Sequence, residues 1–145
     1  MKVADYIAQK LTEHNITEIF MVTGGGAMHL NNALGNHDKL NYHCFHHEQA
    51  CAIAAEGYAR ISNKIAVVLV TSCPGGTNAL TGVLGSWVDS IPMLVISGQV
   101  KQETTIASEP NLKLRQLGDQ EINIIDIVNP IVKYAQTIQI RILLN

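Results

Sequence analysis

The chain has 145 residues, enough for one domain, and its composition of 47% hydrophobic and 15% charged residues excludes a disordered polypeptide. Its 10 basic and 12 acidic residues are interspersed, so the net charge of -2 provides no surface for nucleic acid or anionic lipid. The longest apolar run, residues 65–70, is too short to cross a membrane, and no apolar segment follows Lys2. We therefore expect an untargeted cytoplasmic protein that binds small molecules and other protein chains.

Helical and strand patterns alternate along the chain. Apolar residues recur every three to four positions from Val3 to about Asn15, which predicts a helix, and residues 18–22 form a short buried strand candidate. A glycine turn at residues 23–26 precedes a second helix that ends at Gly35. The later predicted elements are a strand over 40–45, a helix over 48–60, a strand over 65–70, a helix from about 77 to 88, a buried strand over 92–97, a surface excursion over 100–118 and an Ile-rich segment over 121–128.

This alternation defines the expected fold class. Strands followed by helices predict right-handed crossovers and a single α/β domain, a doubly wound, mainly parallel sheet flanked by helices and flavodoxin-like in kind. Ligands bind such sheets beyond the carboxyl ends of the strands, where the loops to the following helices converge. We therefore expect the site at residues 23–26, 46–48 and 71–76, which lie at predicted strand-to-helix junctions.

The three cysteines are odd in number and lack CxxC spacing. Each lies in an apolar stretch, where a free thiol packs as a small hydrophobic group. We expect Cys44, Cys51 and Cys73 to be reduced and buried, in keeping with a cytoplasmic environment.

Taken singly, the polar motifs have ordinary explanations. Glu48 begins a predicted helix, where the helix dipole favours a carboxylate. Three histidines precede it at positions 43, 46 and 47, but residues 47–51 lack the second histidine of a zinc-binding HExxH motif. The glycines at 24–26 lack both GxGxxG spacing and the acidic residue of a dinucleotide site, and a tight turn or a close helix approach explains them. We expect neither metal ligands nor a nicotinamide cofactor.

The ordered set of motifs is more specific than any member. The motifs are His47-Glu48, Gly57-Tyr58-Ala59-Arg60, Thr71-Ser72-Cys73-Pro74-Gly75 with Asn78, Asp89-Ser90-Ile91-Pro92 and Ser97-Gly98-Gln99. In this order they resemble the pyrimidine-binding domain of thiamine-diphosphate enzymes, above all the acetolactate synthase group, over residues 3–138. Fold alone does not produce such a set, which disfavours a flavodoxin-like binding module without thiamine chemistry.

The resemblance implies roles for individual residues. Glu48 matches the family glutamate that hydrogen-bonds N1' of the aminopyrimidine and starts activation of the cofactor at C2, so it is the expected catalytic residue. Gln120 matches, more weakly, a glutamine on the substrate side, and residues 57–60 are expected to pack the helix after Glu48. The expected cofactor-binding residues are Gly24, Gly25, Glu48, Ser72, Cys73, Pro74, Gly75 and Asn78.

Three positions depart from the family pattern. Thr23 replaces a proline before the glycines, Cys73 replaces a glycine, and Asp119 replaces the aromatic residue of Phe-Gln-Glu. Such substitutions change substrate specificity more readily than they change cofactor binding. We therefore expect a decarboxylase or carboligase acting on 2-oxo acids or related carbonyl compounds, and we do not specify acetolactate synthesis.

The resemblance also implies further domains that these residues do not contain. Family members bind Mg²⁺ and the diphosphate on a separate domain with a Gly-Asp-Gly signature, and some hold FAD on a central domain. Gly118-Asp119-Gln120 lacks the third glycine. We expect an amino-terminal piece, inactive alone, of a longer homo-oligomeric enzyme, with residues 139–145 as the start of a linker or as non-native residues. The alternative is a stand-alone subunit completed by a separate diphosphate-domain partner.

Overall fold

A computed structural model describes residues 1–138 of the protein, so the predicted tail at 139–145 lies outside the described residues. Four parallel strands form one sheet and helices cover both of its faces. The strands are β1 (Glu18–Met21), β2 (Asn41–Cys44), β3 (Ala66–Val70) and β4 (Met93–Ser97). The helices are α1 (Val3–Glu13), α2 (Met28–Gly35), α3 (Glu48–Ser62), α4 (Gly75–Asn78), α5 (Leu80–Val88) and α6 (Ile124–Val128).

The strand order β2-β1-β3-β4 confirms the doubly wound topology. The first strand in the chain, β1, lies inside the sheet. The next strand, β2, pairs with one side of β1, and the chain then crosses to the other side, where β3 and β4 follow. Met21 pairs with Cys44 on one side and with Leu69 on the other, so these three strands end at the same level of the sheet. The loops that follow them therefore leave the same edge.

Alternating side chains of the inner strands fill two separate cores. Ile19, Met21, Val67 and Leu69 pack with residues of α1 and α2. Phe20, Val68 and Val70 pack on the other face against alanines of α3. All five residues of β3 are buried, as a central parallel strand requires. Each fully buried valine or leucine contributes about 1.5–3 kcal/mol relative to an exposed position.

Small residues bring α3 and α5 into close contact. Ala52 of α3 is fully buried, and a Cβ added at Gly82 of α5 would lie only 2.6 Å from the Ala52 Cβ atom. The alanine-rich composition of α3 predicts close packing on the sheet, and the structure shows in addition this close contact with a glycine of the neighbouring helix.

The edge strands are more exposed than the sequence predicts. All four residues of β2 are exposed, Cys44 among them, so the expected burial of that cysteine is wrong. Leu94 of β4 is 40% exposed, and β4 is the other edge strand of the sheet within residues 1–138. The helical segment after β3 begins at Gly75 rather than at Thr77. Across residues 1–138, no helix combines the length and apolarity needed to cross a membrane.

The three thiols should differ in reactivity. Burial raises the pKa of Cys51 to about 12, with a further contribution from the charge of Glu48, and burial also raises the pKa of Cys73. Because the thiolate is the nucleophile, iodoacetamide at about pH 8 should modify the exposed Cys44 first. Peptide mass spectrometry measures this order. Modification of Cys51 or Cys73 as fast as Cys44 would contradict the buried positions, and Cys44→Ser should remove the fast phase.

Glu18 should make the fold sensitive to acid. The amide of Asn41, 2.9 Å from Oε1, and the ring of His43, 2.8 Å from Oε2, hold the pKa of Glu18 below its usual value. A lowered pKa stabilises the folded state above the unfolded-state pKa, and this stabilisation is lost as the pH falls through the folded-state pKa. Urea unfolding between about pH 3 and 7 should therefore show a shallower acid limb for Glu18→Gln than for wild type. The exposed Glu109→Gln variant should follow wild type, and equal slopes for Glu18→Gln and wild type would refute the effect.

Candidate functional site

The loops after β1, β3 and β4 contact one another. The backbone N–H of Gly26 donates a hydrogen bond to Oγ1 of Thr71 over 3.1 Å. A Cβ at Gly24 would lie 2.5 Å from the Thr71 side chain, and one at Gly98 would lie 2.4 Å from the carbonyl oxygen of Gly26. Because no glycine in residues 1–138 has a positive φ, close approach rather than a left-handed backbone requires glycine at 24 and 98.

The loop after β2 carries Glu48, the first residue of α3. Asn78, the last residue of α4, donates a hydrogen bond from Nδ2 to Oε2 of Glu48 over 2.6 Å. On the other side of the carboxylate, a Cβ at Gly75 would lie 3.3 Å from Oε1. Strand order therefore brings together two predicted segments that are 30 residues apart.

A cavity of about 420 Å³ opens at this carboxylate. The start of α3 forms one wall of the cavity, and the loop after β3 together with α4 forms the other. Glu48 is the only charged residue of this lining. The lining residues are Glu48, Pro74, Gly75, Thr77 and Asn78.

Ser72 and Cys73 are buried residues of the loop after β3 and do not line the cavity. They are only 7% and 6% exposed. The Ser72 hydroxyl faces Gly26, where an added Cβ would lie 2.8 Å from Oγ, and Cys73 faces Gly76, where it would lie 3.6 Å from Sγ. By contrast, a Cβ at Gly25 would meet no atom within 4 Å. The buried pair thus supports the loop, whereas Gly25 leaves open space beside it.

Gln120 is not part of the cavity wall. It is exposed, with a left-handed backbone at φ 54°. Its neighbour Glu121 is buried and accepts a hydrogen bond from the backbone N–H of Ile106 over 3.2 Å. The charge of Glu121 also contributes to the raised pKa of Cys73, after burial. The segment therefore approaches the end of β3 through Glu121, while Gln120 points to the surface.

The sequence places Thr71 in a family-like motif without a role in cofactor binding, and it gives no signal for Thr77. Thr71 contacts Gly24, Gly26 and Gly75, so it joins the loops after β1 and β3. The sequence signals of Thr71 are its place in that motif and its position at the end of the strand over 65–70. Thr77 lines the cavity and donates its hydroxyl hydrogen to the Pro74 carbonyl oxygen over 2.8 Å.

Two of the predicted motifs form a structural link away from the cavity. Arg60 lies 2.5 Å from both Glu56 and Asp89, which ties the end of α3 to the end of α5. A Cβ at Gly57 would meet no atom within 4 Å, whereas Ala59 is buried and Tyr58 packs against the same core, so the segment 57–60 packs α3 through those two residues. The ion pair between Arg60 and Asp89 thus connects the motif at residues 57–60 to the motif at residues 89–92.

Residues 1–138 contain no group of three histidine, cysteine, aspartate or glutamate residues arranged to hold a metal ion. The cavity instead combines one half-buried carboxylate, an amide, a hydroxyl group and the flat surfaces of a proline and a glycine. Fold and cavity together define an α/β domain whose candidate ligand site lies at the carboxyl edge of its sheet.

The family is shown by comparison with known proteins. Residues 1–127 match the family described as thiamine pyrophosphate enzyme, N-terminal TPP binding domain, and the chain belongs to this family. It is 39% identical over 132 residues to the acetolactate synthase large subunit of Buchnera aphidicola subsp. Schizaphis graminum, which covers 91% of this chain and 22% of that protein. The resemblance inferred from the motifs is therefore confirmed.

Two further relatives carry the same name. The chain is 36% identical over 132 residues to the acetolactate synthase large subunit of Haemophilus influenzae, covering 91% of this chain. It is 37% identical over 133 residues to that of Lactococcus lactis, covering 92% of this chain. The chain spans about a fifth of the length of these curated relatives, 22% in each case.

Proposed function

We propose that the cavity at Glu48 binds the aminopyrimidine end of thiamine diphosphate. The observation that carries this proposal is the Glu48 carboxylate, whose Oε1 lies beside the bare backbone of Gly75 in a cavity of about 420 Å³. A planar ring can enter the cavity that Glu48 lines, and a ring nitrogen can then share a proton with Oε1. The family described for residues 1–127 binds this cofactor.

In this proposal Glu48 is the catalytic residue. It exchanges a proton at a carboxylate oxygen with N1' of the pyrimidine, as a general acid-base group does within hydrogen-bond reach. When bound, thiamine diphosphate supplies a nucleophilic carbon and an electron sink. Pro74 and Thr77 flank the ring and exclude water, and Gly24 and Gly25 let the backbone approach it.

The remaining predicted residues have supporting roles. Ser72 and Cys73 hold the loop from below, which agrees with their burial. Gln120, at the surface, is assigned to the substrate side, where it is free to contact a bound carbonyl compound.

The whole protein, in this proposal, is a decarboxylase or carboligase acting on 2-oxo acids or related carbonyl compounds. The names of the relatives, which are acetolactate synthases, support this class. Mg²⁺ and the diphosphate are held by another domain of a longer chain or by a partner chain, because Mg²⁺ prefers carboxylates together with phosphate oxygens. The cavity at Glu48 provides a single carboxylate.

We also propose that the protein forms a homo-oligomer, which exposed apolar side chains of α3 and α5 support. Large apolar side chains are exposed there, which is typical of interaction surfaces. A symmetric homo-oligomer would cover them. The exposed residues are Ile53 (47%), Leu84 (45%), Trp87 (40%) and Val88 (67%).

Titration of the isotope-labelled chain with thiamine diphosphate tests the binding proposal. We expect NMR signals of Glu48, Gly75 and Asn78 to shift, because these residues line the cavity. The same sample with Mg²⁺ should show no decarboxylation of 2-oxo acids, because the diphosphate-binding element is supplied from elsewhere. Unchanged signals at these residues would overturn the binding site, and measurable turnover would overturn the requirement for another domain.

A further inference from the structure

We propose that Asn78 is a positioning residue that decides which oxygen of Glu48 carries the transferable proton. Its amide holds Oε2 as a hydrogen-bond acceptor, so the proton of the neutral carboxyl group is on Oε1. This inference rests on the proposed function, because it concerns the proton that Glu48 shares with the pyrimidine.

The bond between the two side chains has one chemically sensible direction. An ionised carboxylate only accepts hydrogen bonds, whereas the amide nitrogen of asparagine only donates them. At 2.6 Å, Nδ2 of Asn78 is within donor distance of Oε2. Within residues 1–138 this is the one side-chain hydrogen bond that Glu48 receives.

The two oxygens of Glu48 therefore have different surroundings. Oε2 is engaged by Asn78, and a proton added to it would weaken it as an acceptor. Oε1 receives no side-chain hydrogen bond within residues 1–138, and it is not among the buried atoms that lack a partner, so it is open to the cavity that Glu48 lines. Protonation on Oε1 thus keeps the bond to Asn78 and points the O–H group toward the cavity.

The backbone of Asn78 is held independently of Glu48. Its N–H donates to the Pro74 carbonyl oxygen over 2.9 Å, and the next residue, Ala79, is fully buried in the core against α3. The amide can therefore orient the carboxylate instead of following it.

The side-chain amide of glutamine allows a direct test. In Glu48→Gln, Asn78 should hold the carbonyl oxygen of the new amide and turn its NH₂ group toward the cavity, where it donates to the ring nitrogen as a protonated Oε1 does. Adding Asn78→Asp should rotate the side-chain amide at position 48 by half a turn, so that its NH₂ group faces residue 78, because a carboxylate accepts hydrogen bonds but does not donate them. The carbonyl oxygen would then face the ring nitrogen, and two acceptors would oppose each other.

The readout is binding of the free aminopyrimidine half of thiamine to the 145-residue chain, followed by NMR. We expect Glu48→Gln to bind within about threefold of wild type, and the Glu48→Gln/Asn78→Asp variant to bind roughly tenfold or more weakly than Glu48→Gln. Asn36→Asp in the Glu48→Gln background is the matched control, because Asn36 is exposed at the end of α2 and bonds to Asn32. Equal affinity of the double variant and Glu48→Gln would overturn the positioning role.

A second measurement needs no ligand. A side-chain amide proton of Asn78 should resonate downfield in wild type, and Glu48→Ala should remove that shift, while Glu109→Ala should not. If the pyrimidine binds no variant but the amide proton responds to Glu48→Ala, the binding proposal fails and the pairing stands. An amide proton that does not respond to Glu48→Ala overturns the pairing, whatever the pyrimidine does.

Discussion

Glu48→Gln should slow exchange of the C2 proton of thiamine diphosphate by roughly 10²–10⁴-fold in the enzyme completed by its diphosphate-binding domain. Glutamine keeps the size of the side chain and the acceptor for Asn78, but it can no longer gain and lose a proton at the position beside Gly75. The loss should therefore appear in proton exchange while cofactor affinity changes little. Exchange is measured as loss of the C2 proton signal in D₂O after quenching in acid.

The control for this experiment is Glu109→Gln, which removes an exposed carboxylate in the surface excursion. It should exchange at the wild-type rate, which separates proton transfer from a change in net charge. An exchange rate in Glu48→Gln within a factor of about three of wild type would remove Glu48 from the proposed mechanism.

Gly98→Ala should lower the free energy of unfolding by about 1–3 kcal/mol, the usual range for overpacking. The added methyl group would lie 2.4 Å from the carbonyl oxygen of Gly26 and 2.8 Å from the backbone nitrogen of Ala27. Both atoms belong to the backbone, so no side chain can move away to make room. The loops after β1 and β4 would have to separate, and the resulting displacement should also weaken pyrimidine binding.

Gly57→Ala provides the matched control, because the same substitution is made where nothing opposes it. Gly57 lies inside α3, and an added Cβ would meet no atom within 4 Å. Alanine should stabilise the helix by about 0.5–1 kcal/mol. Urea unfolding of both variants measures the difference. Destabilisation by Gly57→Ala, or an unchanged midpoint for Gly98→Ala, would contradict the packing described at these positions.

The elements that the sequence predicts best are those whose signal is local. The run Ala66–Val70 is apolar on both faces, and it is the fully buried strand. The alanines after Glu48 form the helix α3 and pack closely on the sheet, as their size predicts. Errors occur at the sheet edges, where Cys44 and Leu94 have apolar neighbours in sequence but lack covering elements in space.

At the candidate site, the sequence by itself determined that Glu48 begins a helix and that residues 71–76 follow a buried strand. Each of these positions follows from the periodicity of apolar residues within a short stretch. Only the tertiary structure decided that Asn78 bonds to Glu48 and that Thr71 requires glycine at position 24. These contacts join residues 30 to 47 positions apart, and their geometry depends on which strands lie side by side. A residue pattern specifies its own helix or strand, whereas the distance between two loops is set by the packed sheet beneath them.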